Sequence, residues 1–384
     1  MDCVPTSLEY LRAVLQETHL VYPNSWYDAQ GFGYRTETPG DWCGWRKPDS
    51  TELKASVILA LSHGVKGIMF WQLGSRRTGN NSSCNTLERE YIDCIIDEDL
   101  QPSELFYVIK NNIAPRLKST LGTTLLSLNY TGDFINIQYE EQLPESFDNE
   151  EDFLTIHPSG MSYYWHAGFL NQVDNPDNKY FLLTNLRTTF QNVAVIDIEN
   201  NTDFVNLGIR DVENHTNSIN TTISTTQSFS IQIPAGDGYL FQVAPVLKYG
   251  GRLIYNETVI DGTILFEDMS IENGATLTIN GTYNAKANIT VKSGGKIMYG
   301  ENSIIIFDPG KKLIVEGSTE IKGTSASNKL TLQFSGNDNA VLVKPGSSLT
   351  MDYCNITGAY QGIVTETGSR SYVNISNTNI SAVY

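Results

Sequence analysis

The stretch Ser25–Leu73, SWYDAQGFGYRTETPGDWCGWRKPDSTELKASVILALSHGVKGIMFWQL, has the order strand, loop, helix, strand. The apolar run Lys66–Leu73 predicts a buried strand, and Trp26–Glu37 contains an earlier one. A helix over Thr51–Val65 lies between them, so the stretch predicts a βαβ unit of a parallel sheet. Ligands bind such sheets at the carboxyl ends of the strands, and we expect any active site there.

The first strand has two possible registers, Ser25–Phe32 and Gly33–Glu37. They differ in the residue at the carboxyl end, which is near Gln30 in the first register and is Glu37 in the second. The choice bears on chemistry because a glutamine side chain neither titrates nor attacks a substrate, whereas a glutamate can do both.

Helices flank and connect these strands. Pro48-Asp49-Ser50 predicts the start of the central helix, with the aspartate or the serine as its N-cap, and Gly64 suits the left-handed position after its last turn. Two strands alone do not form a stable parallel sheet, because both edges stay open. We therefore predict that residues 1–122 are the C-terminal part of a larger α/β domain. Further helices are predicted at Ser7–His19, Thr86–Ile96 and Ser103–Leu121.

From residue 123 the apolar pattern changes to period two, which is typical of strands. Thr131-Gly132-Asp133 separates two apolar runs and predicts a hairpin turn between them. Short strands with few helical signals predict a β-sandwich over 123–247. The later strands are predicted at Lys179–Asn185, Ala194–Ile198, Ser228–Ile233 and Gly238–Ala244.

A repeat begins near Tyr249 and predicts a right-handed parallel β-helix over 248–384. Its frame is an apolar residue, two variable residues, a glycine, two variable residues and an apolar residue, with the glycine at a tight corner. The glycines are 20, 16 and 36 residues apart, which fits turns of about 18 residues, and a sandwich of hairpins is the alternative. The chain ends in a strand-like segment without a cap, so we expect truncation. The glycines of the repeat are Gly274, Gly294, Gly310 and Gly346.

The composition excludes several classes of partner. Acidic residues outnumber basic ones 43 to 26, for a net charge of −17, which argues against nucleic-acid binding. No apolar run is long enough to span a membrane, and the amino terminus lacks the pattern of a signal peptide. No Cys or His spacing matches a structural zinc site, and we predict neither a metal nor a cofactor. The oligomeric state is left open.

Two motifs resemble the barrel end of β-galactosidase-like (β/α)8 glycoside hydrolases. They are Thr36-Glu37-Thr38-Pro39-Gly40-x-Trp42 and Ala60-Leu61-x-His63-Gly64-x-x-Gly67-Ile68-x-x-Trp71. The resemblance covers about residues 33–73 and implies that they hold the seventh strand, the seventh helix and the eighth strand of such a barrel. It favours the register that ends at Glu37, and the repeat resembles the β-helix appendages of secreted microbial proteins.

The resemblance implies a carbohydrate site in which Glu37 is the nucleophile of a retaining enzyme. Trp71, at the end of the eighth strand, would contact a sugar ring, and Trp42 and Trp45 would form a platform. The alternatives are a solvated loop acid at Glu37, a buried core residue at Trp71, and a hydrophobic plug at Trp42 and Trp45. Asp41 is a weaker candidate acid.

Two functional hypotheses follow for this multidomain, mostly β chain of partial (β/α)8 barrel, β-sandwich and β-helix. The first is a fragment of a secreted glycoside hydrolase that acts on poly- or oligosaccharide outside the cell or on its surface. The second is a non-catalytic surface protein whose β-helix binds carbohydrate or serves as an adhesive spacer. The general acid expected on the fourth barrel strand is missing, so we predict no turnover by these 384 residues alone.

Overall fold

The computed structural model shows a mostly β protein with a β-solenoid at its C-terminal end. It describes residues 11, 14–15, 25–35, 46–78, 90–137, 150–151, 153–158, 164–172, 175–213, 220–223, 225–300, 302–335 and 339–382. The chain divides into two compact units. The first comprises Met1–Ile198, Asp211–Ser218 and Ser228–Gln242. The second comprises Glu199–Arg210, Ile219–Gln227 and Val243–Tyr384. The division into three domains stays a prediction.

The βαβ unit is present in the first unit. Strand β1 (Trp26–Gln30) pairs in parallel with β3 (Gly67–Trp71), and helix α1 (Ser50–Ser62) lies between them in the chain. The observed register is the one that ends at Gln30. The register over Gly33–Glu37 is wrong, because β2 (Gly33–Arg35) pairs antiparallel with β5 (Glu90–Asp93) instead.

Helix α1 begins within one residue of its predicted start and ends at Ser62, before the predicted end at Val65. The Asp49 side chain accepts hydrogen bonds from the backbone of Thr51 and Glu52, and Glu52 closes a capping box. Gly64 follows the C-cap residue, His63, with φ of +76°. The N-cap is therefore Asp49 rather than Ser50.

Two other helix predictions need correction. The helix at Thr86–Ile96 is wrong, since β5 occupies its described part and lies between β2 and β4 (Arg76–Thr78) in an antiparallel sheet. Pairing on both edges overrides the local helical pattern there. The helix at Ser103–Leu121 is confirmed in position but is interrupted near Lys118. Its segments are α2 (Glu104–Val108), a π-helical turn (Ile109–Ile113), α3 (Ala114–Leu117) and α4 (Thr120–Leu126). The predicted helix Ser7–His19 lies almost wholly outside the described residues.

The predicted hairpin at Thr131–Asp133 is wrong, because these residues lie inside one strand, β6 (Leu128–Ile137). Tyr130 pairs with Leu170 and Phe134 with Gly168, so the residues between them form a bulge. The turn-forming residues Thr131–Asp133 therefore accommodate a bulge within one strand and do not reverse the direction of the chain.

Two sheets follow in the first unit. The larger has the order β15–β10–β9–β6 over its part in this unit, and the smaller has the order β14–β11–β8–β7. The four later strands are present where predicted, within a few residues, whereas the sandwich stays a prediction. Besides β6, the strands of these two sheets are β7 (Glu150–Glu151), β8 (Leu154–Pro158), β9 (Trp165–Gln172), β10 (Asn175–Asn185), β11 (Asn192–Glu199), β14 (Thr226–Ile233) and β15 (Gly238–Pro245).

Helix α1 also packs on the larger sheet, and glycines make this possible. A Cβ atom on Gly168 would overlap the carbonyl oxygen of Ser62, and one on Gly238 would overlap the side chain of Ile58. The helix therefore approaches the sheet more closely than other residues at these positions would allow.

The second unit is built around the solenoid, which is of the right-handed type and has about five turns. Before it lie β12 (Leu207–Asp211), which pairs with β13 (Asn220–Ile223), and the short helix α5 (Val246–Tyr249). Three parallel sheets of six strands form its walls. The first sheet is β16 (Gly251–Leu253), β19 (Met269–Ile271), β22 (Ile289–Val291), β25 (Leu313–Val315), β28 (Asn339–Val343) and β31 (Gln361–Thr365). The second is β17 (Glu257–Val259), β20 (Thr276–Ile279), β23 (Lys296–Tyr299), β26 (Ser318–Lys322), β29 (Ser348–Asp352) and β32 (Tyr372–Ser376). The third is β18 (Thr263–Leu265), β21 (Thr282–Ala285), β24 (Ile304–Phe307), β27 (Leu330–Phe334), β30 (Cys354–Ala359) and β33 (Asn379–Ala382).

The parallel pairing of the strands excludes the sandwich of hairpins. The structure also corrects the predicted repeat in two respects, the corner at which Gly310 lies and the length of the coils. The four predicted corner glycines have φ between +76° and +84°. Gly310, however, lies between the third and first sheets, while the glycine at the first-to-second corner of that coil is Gly317, with φ of +90°. The coils are also unequal: successive members of one column of paired residues in the first sheet are 18, 20, 24, 28 and 22 residues apart. That column is Leu253, Ile271, Val291, Val315, Val343 and Thr365.

Candidate functional site

One face of the β1–β3 pair carries two exposed tryptophans. Side chains alternate along a strand, and on this face the exposed fraction is 66% for Trp26, 51% for Met69 and 59% for Trp71. We call this surface the tryptophan face, and it consists of Trp26, Asp28, Gln30, Met69 and Trp71. Large apolar side chains grouped in the open in this way mark a candidate binding surface.

The opposite face of the same strands packs against α1. Ala29 is fully buried, and the half-buried Ile68 and Phe70 contact the same core. This core holds the two strands on the helix, so the tryptophan face has a rigid support. The helix contributes Leu53, Val57, Ile58 and Leu61 to it.

The register orders the tryptophan face in three layers along the strands. Trp26 lies opposite Gly67, Asp28 opposite Met69, and Gln30 opposite Trp71. A Cβ atom at residue 67 would overlap the Trp26 ring, so the glycine leaves room for that ring. Gln30 and Trp71 form the layer at the carboxyl end, where parallel sheets bind ligands.

Backbone and amide hydrogen bonds fasten this carboxyl end. The Gly31 N–H donates to the carbonyl of Trp71. The Gln30 amide nitrogen donates to the carbonyl of Phe32 at 2.7 Å and to that of Arg46 at 3.0 Å. Both amide hydrogens of Gln30 are thus engaged within the chain.

The segment after the loop 36–45 is anchored at the same place. The Arg46 guanidinium pairs with Glu52, which in turn accepts the Asp49 N–H at 2.8 Å. Arg46 is therefore held between Gln30 and the N-terminal turn of α1.

The predicted site residues fare differently. Glu37, Trp42 and Trp45 lie outside the described residues, as does Asp41, so their roles stay predictions. Trp71 ends β3, and its exposure shows that the buried-core alternative is wrong. His63 is the C-cap residue of α1, and its ring stacks on His166 with centroids 4.8 Å apart.

Sequence reasoning missed Trp26 and Asp28. Both lie on the tryptophan face only in the register that ends at Gln30. The strict alternation of Trp26, Asp28 and Gln30 with the apolar Tyr27 and Ala29 was the signal available in the sequence.

One buried carboxyl group belongs to the second unit. Glu257 is 6% exposed and accepts hydrogen bonds from the Val205 N–H at 2.8 Å and the Asn206 amide at 2.7 Å. Burial raises its pKa from 4.5 to about 7, against the opposing effect of these hydrogen bonds. Glu257 starts a column of the second sheet that continues with Leu277, Ile297 and Ile321. Because it is the polar first member of an apolar column, it forms a polar cap on the first coil.

A half-buried amine lies at the amino end of β3. Burial lowers the pKa of Lys66, whose Nζ donates to the carbonyls of Leu125, at 2.8 Å, and of Leu128. A cavity of about 100 Å³ adjoins it. Because these carbonyls lie at the C-terminal end of α4 and just beyond it, the amine acts as a helix-terminal cation.

Within the described residues, no group of three or more His, Cys, Asp and Glu side chains is arranged to hold a metal ion. No helix in the same part of the chain is long and apolar enough to cross a membrane. Comparison of the chain with protein-family models, curated proteins and solved structures gives no match to any of them. The functional assignment consequently depends on the geometry of the residues themselves.

Proposed function

We propose that the chain is the carbohydrate-binding part of a glycoside hydrolase and that the tryptophan face holds its sugar site. The observation that carries the proposal is the exposure of Trp26 and Trp71 on one face of a parallel strand pair, in alternation with Asp28 and Gln30. Sugars present C–H faces to aromatic rings and hydroxyl edges to carboxylates and amides, so this combination matches their chemistry.

Each residue of the upper layers has a role in this proposal. Trp71 stacks on the sugar ring at the carboxyl end of β3. The Asp28 carboxylate and the Gln30 oxygen accept hydrogen bonds from hydroxyl groups. Glu37 would act as the nucleophile, and Arg46, which follows it in the chain, is bonded to Gln30 at this end of the sheet.

A non-catalytic binding protein is the second candidate. The observation that favours it is that β1 ends at Gln30, so the strand end itself carries no group able to attack. Hydrolysis needs two carboxyl groups placed across the scissile bond, and the resemblance supplies one of them, Glu37. Both candidates share a sugar contact at Trp71, and we propose that both act outside the cell or on its surface.

Binding is tested first, by isothermal titration calorimetry of the 384-residue chain with cello-, xylo-, manno- and galacto-oligosaccharides. We expect Trp71→Ala to weaken binding at least tenfold, since stacking on a ring is lost. Tyr107→Ala, which removes a half-exposed aromatic residue elsewhere in the first unit, serves as the control and should leave binding unchanged. Equal affinities of wild type and Trp71→Ala would exclude the tryptophan face.

Turnover separates the two candidates. We expect no release of nitrophenol from aryl glycosides by this chain, because half of the carboxyl pair is missing. Hydrolysis that is abolished by Glu37→Gln would instead establish a complete catalytic site within these residues.

A further inference from the structure

A small cavity opens at the amino end of β3, at the opposite end of that strand from Trp71. Its volume is about 100 Å³, and it is bounded by the end of α1, the start of β3 and the helices α3 and α4. The exposed fraction of Leu126 is 66%, so the cavity reaches solvent there. The aliphatic side chains that line it are Leu61, Val65, Ile68, Leu117, Leu125 and Leu126.

The charged residue in this lining is Lys66. Its ammonium group has three hydrogens to donate. The Nζ atom donates to the carbonyl of Leu125 at 2.8 Å and to the carbonyl of Leu128, which leaves one hydrogen for a further acceptor. Among the residues that the structure describes, no carboxylate pairs with this amine.

The environment of this amine favours an anionic ligand. Burial lowers the pKa of Lys66, and no charge in the described part of the chain opposes this effect. A half-buried ammonium group gains more from a neighbouring anion than an exposed one does, because ion pairs are stronger where water is partly excluded. One cation with one hydrogen to donate matches a ligand with a single negative charge.

The cavity limits the rest of the ligand. An apolar cavity of about 150 Å³ holds benzene, so one of about 100 Å³ holds about four heavy atoms. Aliphatic side chains offer no hydrogen bond to a polar group, whereas each methylene buried against them strengthens binding about fourfold. The body of the ligand is thus an alkyl chain of about four carbons.

We propose that this cavity binds short-chain aliphatic monocarboxylates, with the carboxylate on the Lys66 amine and the alkyl chain against the leucines. Pentanoate, whose butyl chain matches the volume, is the reference ligand. The proposal is independent of the tryptophan face, because Gly67 and Trp71 lie at opposite ends of β3, about 13 Å apart along the strand.

The test is isothermal titration calorimetry of the 384-residue chain with straight-chain carboxylates from acetate to octanoate, at constant ionic strength. We expect the affinity to rise about fourfold with each methylene up to pentanoate and to level off beyond it. Pentanamide has a similar shape without the charge and should bind at least tenfold more weakly. Absence of binding by every carboxylate, equal affinities of pentanoate and pentanamide, or a rise that continues to octanoate overturns the proposal.

Matched variants assign the charge. Lys66→Met keeps an unbranched side chain but removes the amine, and it should bind pentanoate as weakly as pentanamide. Lys110→Met removes an exposed lysine elsewhere in the first unit and should bind pentanoate like wild type. Wild-type affinity in Lys66→Met, or equal loss in Lys110→Met, would remove Lys66 from the site.

A measurement on the wild-type chain locates the ligand and holds even if Lys66→Met does not fold. Gly67 and Gly122 line the cavity, so their amide signals in nitrogen–proton correlation spectra report on its occupancy. Saturation with pentanoate should shift both signals and leave that of Gly346, in the solenoid, in place. Unchanged signals of Gly67 and Gly122 at saturation would overturn the assignment to this cavity.

Discussion

Each of the two units is stabilised internally, and the contacts that do this differ in how far apart their partners lie in the sequence. In the first unit the Arg116 guanidinium binds Glu213, 97 residues away, at 2.8 and 2.6 Å, and Asp237, 121 residues away, at 2.5 Å. In the solenoid each strand pairs with the strand one coil away, so its stability is close to a sum of neighbouring contacts. The stability of the first unit depends on contacts between residues far apart in the sequence. The stability of the solenoid depends on the same pairing between adjacent coils, repeated along its length.

Loss of the Arg116 side chain gives the largest effect that we expect. Arg116→Ala removes the guanidinium that bonds Glu213 and Asp237 and leaves Asp237 with the more distant Lys54, 3.8 Å away, which costs about 3–5 kcal/mol in the free energy of unfolding of the first unit. Urea denaturation followed by near-ultraviolet circular dichroism measures it. Lys118→Ala, an exposed basic residue nearby, is the control and should change little. A loss below about 1 kcal/mol would show that the long-range network is dispensable.

A cavity in the solenoid should stay local. Ile297→Ala removes a fully buried side chain between Leu277 and Ile321 and should cost about 2–5 kcal/mol. Hydrogen exchange should rise in the coils next to residue 297 and remain at wild-type rates in β6 and β9. The outward Met298→Ala controls for the change of volume. Faster exchange throughout both units would contradict nearest-neighbour stability.

The pH dependence of the solenoid tests its polar cap. Burial raises the pKa of Glu257 to about 7, so the folded state holds this proton between pH 4.5 and 7 while the unfolded state releases it. The solenoid is therefore more stable below pH 4.5 and loses about 3 kcal/mol as the pH rises through this window. Chemical denaturation at several pH values measures the slope. Glu257→Gln should abolish it, and an unchanged slope in that variant would assign it to another group.

Reversal of one charge in the alternating column should have the smallest effect. Lys292→Glu replaces the ion pair with Glu316 by a row of three carboxylates, Glu272 and Glu316 on either side of residue 292. Because the Lys292 and Glu316 side chains are more than a third exposed, the cost is at most about 1 kcal/mol and should shrink in 1 M NaCl. Thermal unfolding of wild type and variant, without added salt and in 1 M NaCl, measures this loss of stability. A salt-independent loss would indicate a steric cause.

The repeat was predictable because each coil obeys the same local requirements. An inward apolar residue and a glycine with positive φ recur at its corners, so the solenoid could be recognised without knowledge of the pairing. Its phase could not, because Gly310 meets the same requirement at a different corner from Gly274 and Gly294. Corner chemistry is local, whereas the identity of the corner depends on coil lengths, which vary.

The candidate site was predictable only in part. Trp71 follows from the apolar run that forms β3, since the strand ends at that residue in either register. Trp26 and Asp28 could not be placed, because a shift of the strand register changes which residues lie at its carboxyl end. Pairing of β1 with β3 and of β2 with β5 settled this question.

Short-range physics let the sequence alone determine the βαβ unit, the capping box of α1 and the existence of the solenoid. Helix caps, apolar alternation and glycine corners depend on residues that are close in the sequence, so they can be recognised without the tertiary structure. Tertiary structure alone decided the end of β1 at Gln30 and the exposure of the tryptophan face. Each of these depends on which strands become neighbours, and strand pairing is set by the packing of the whole unit.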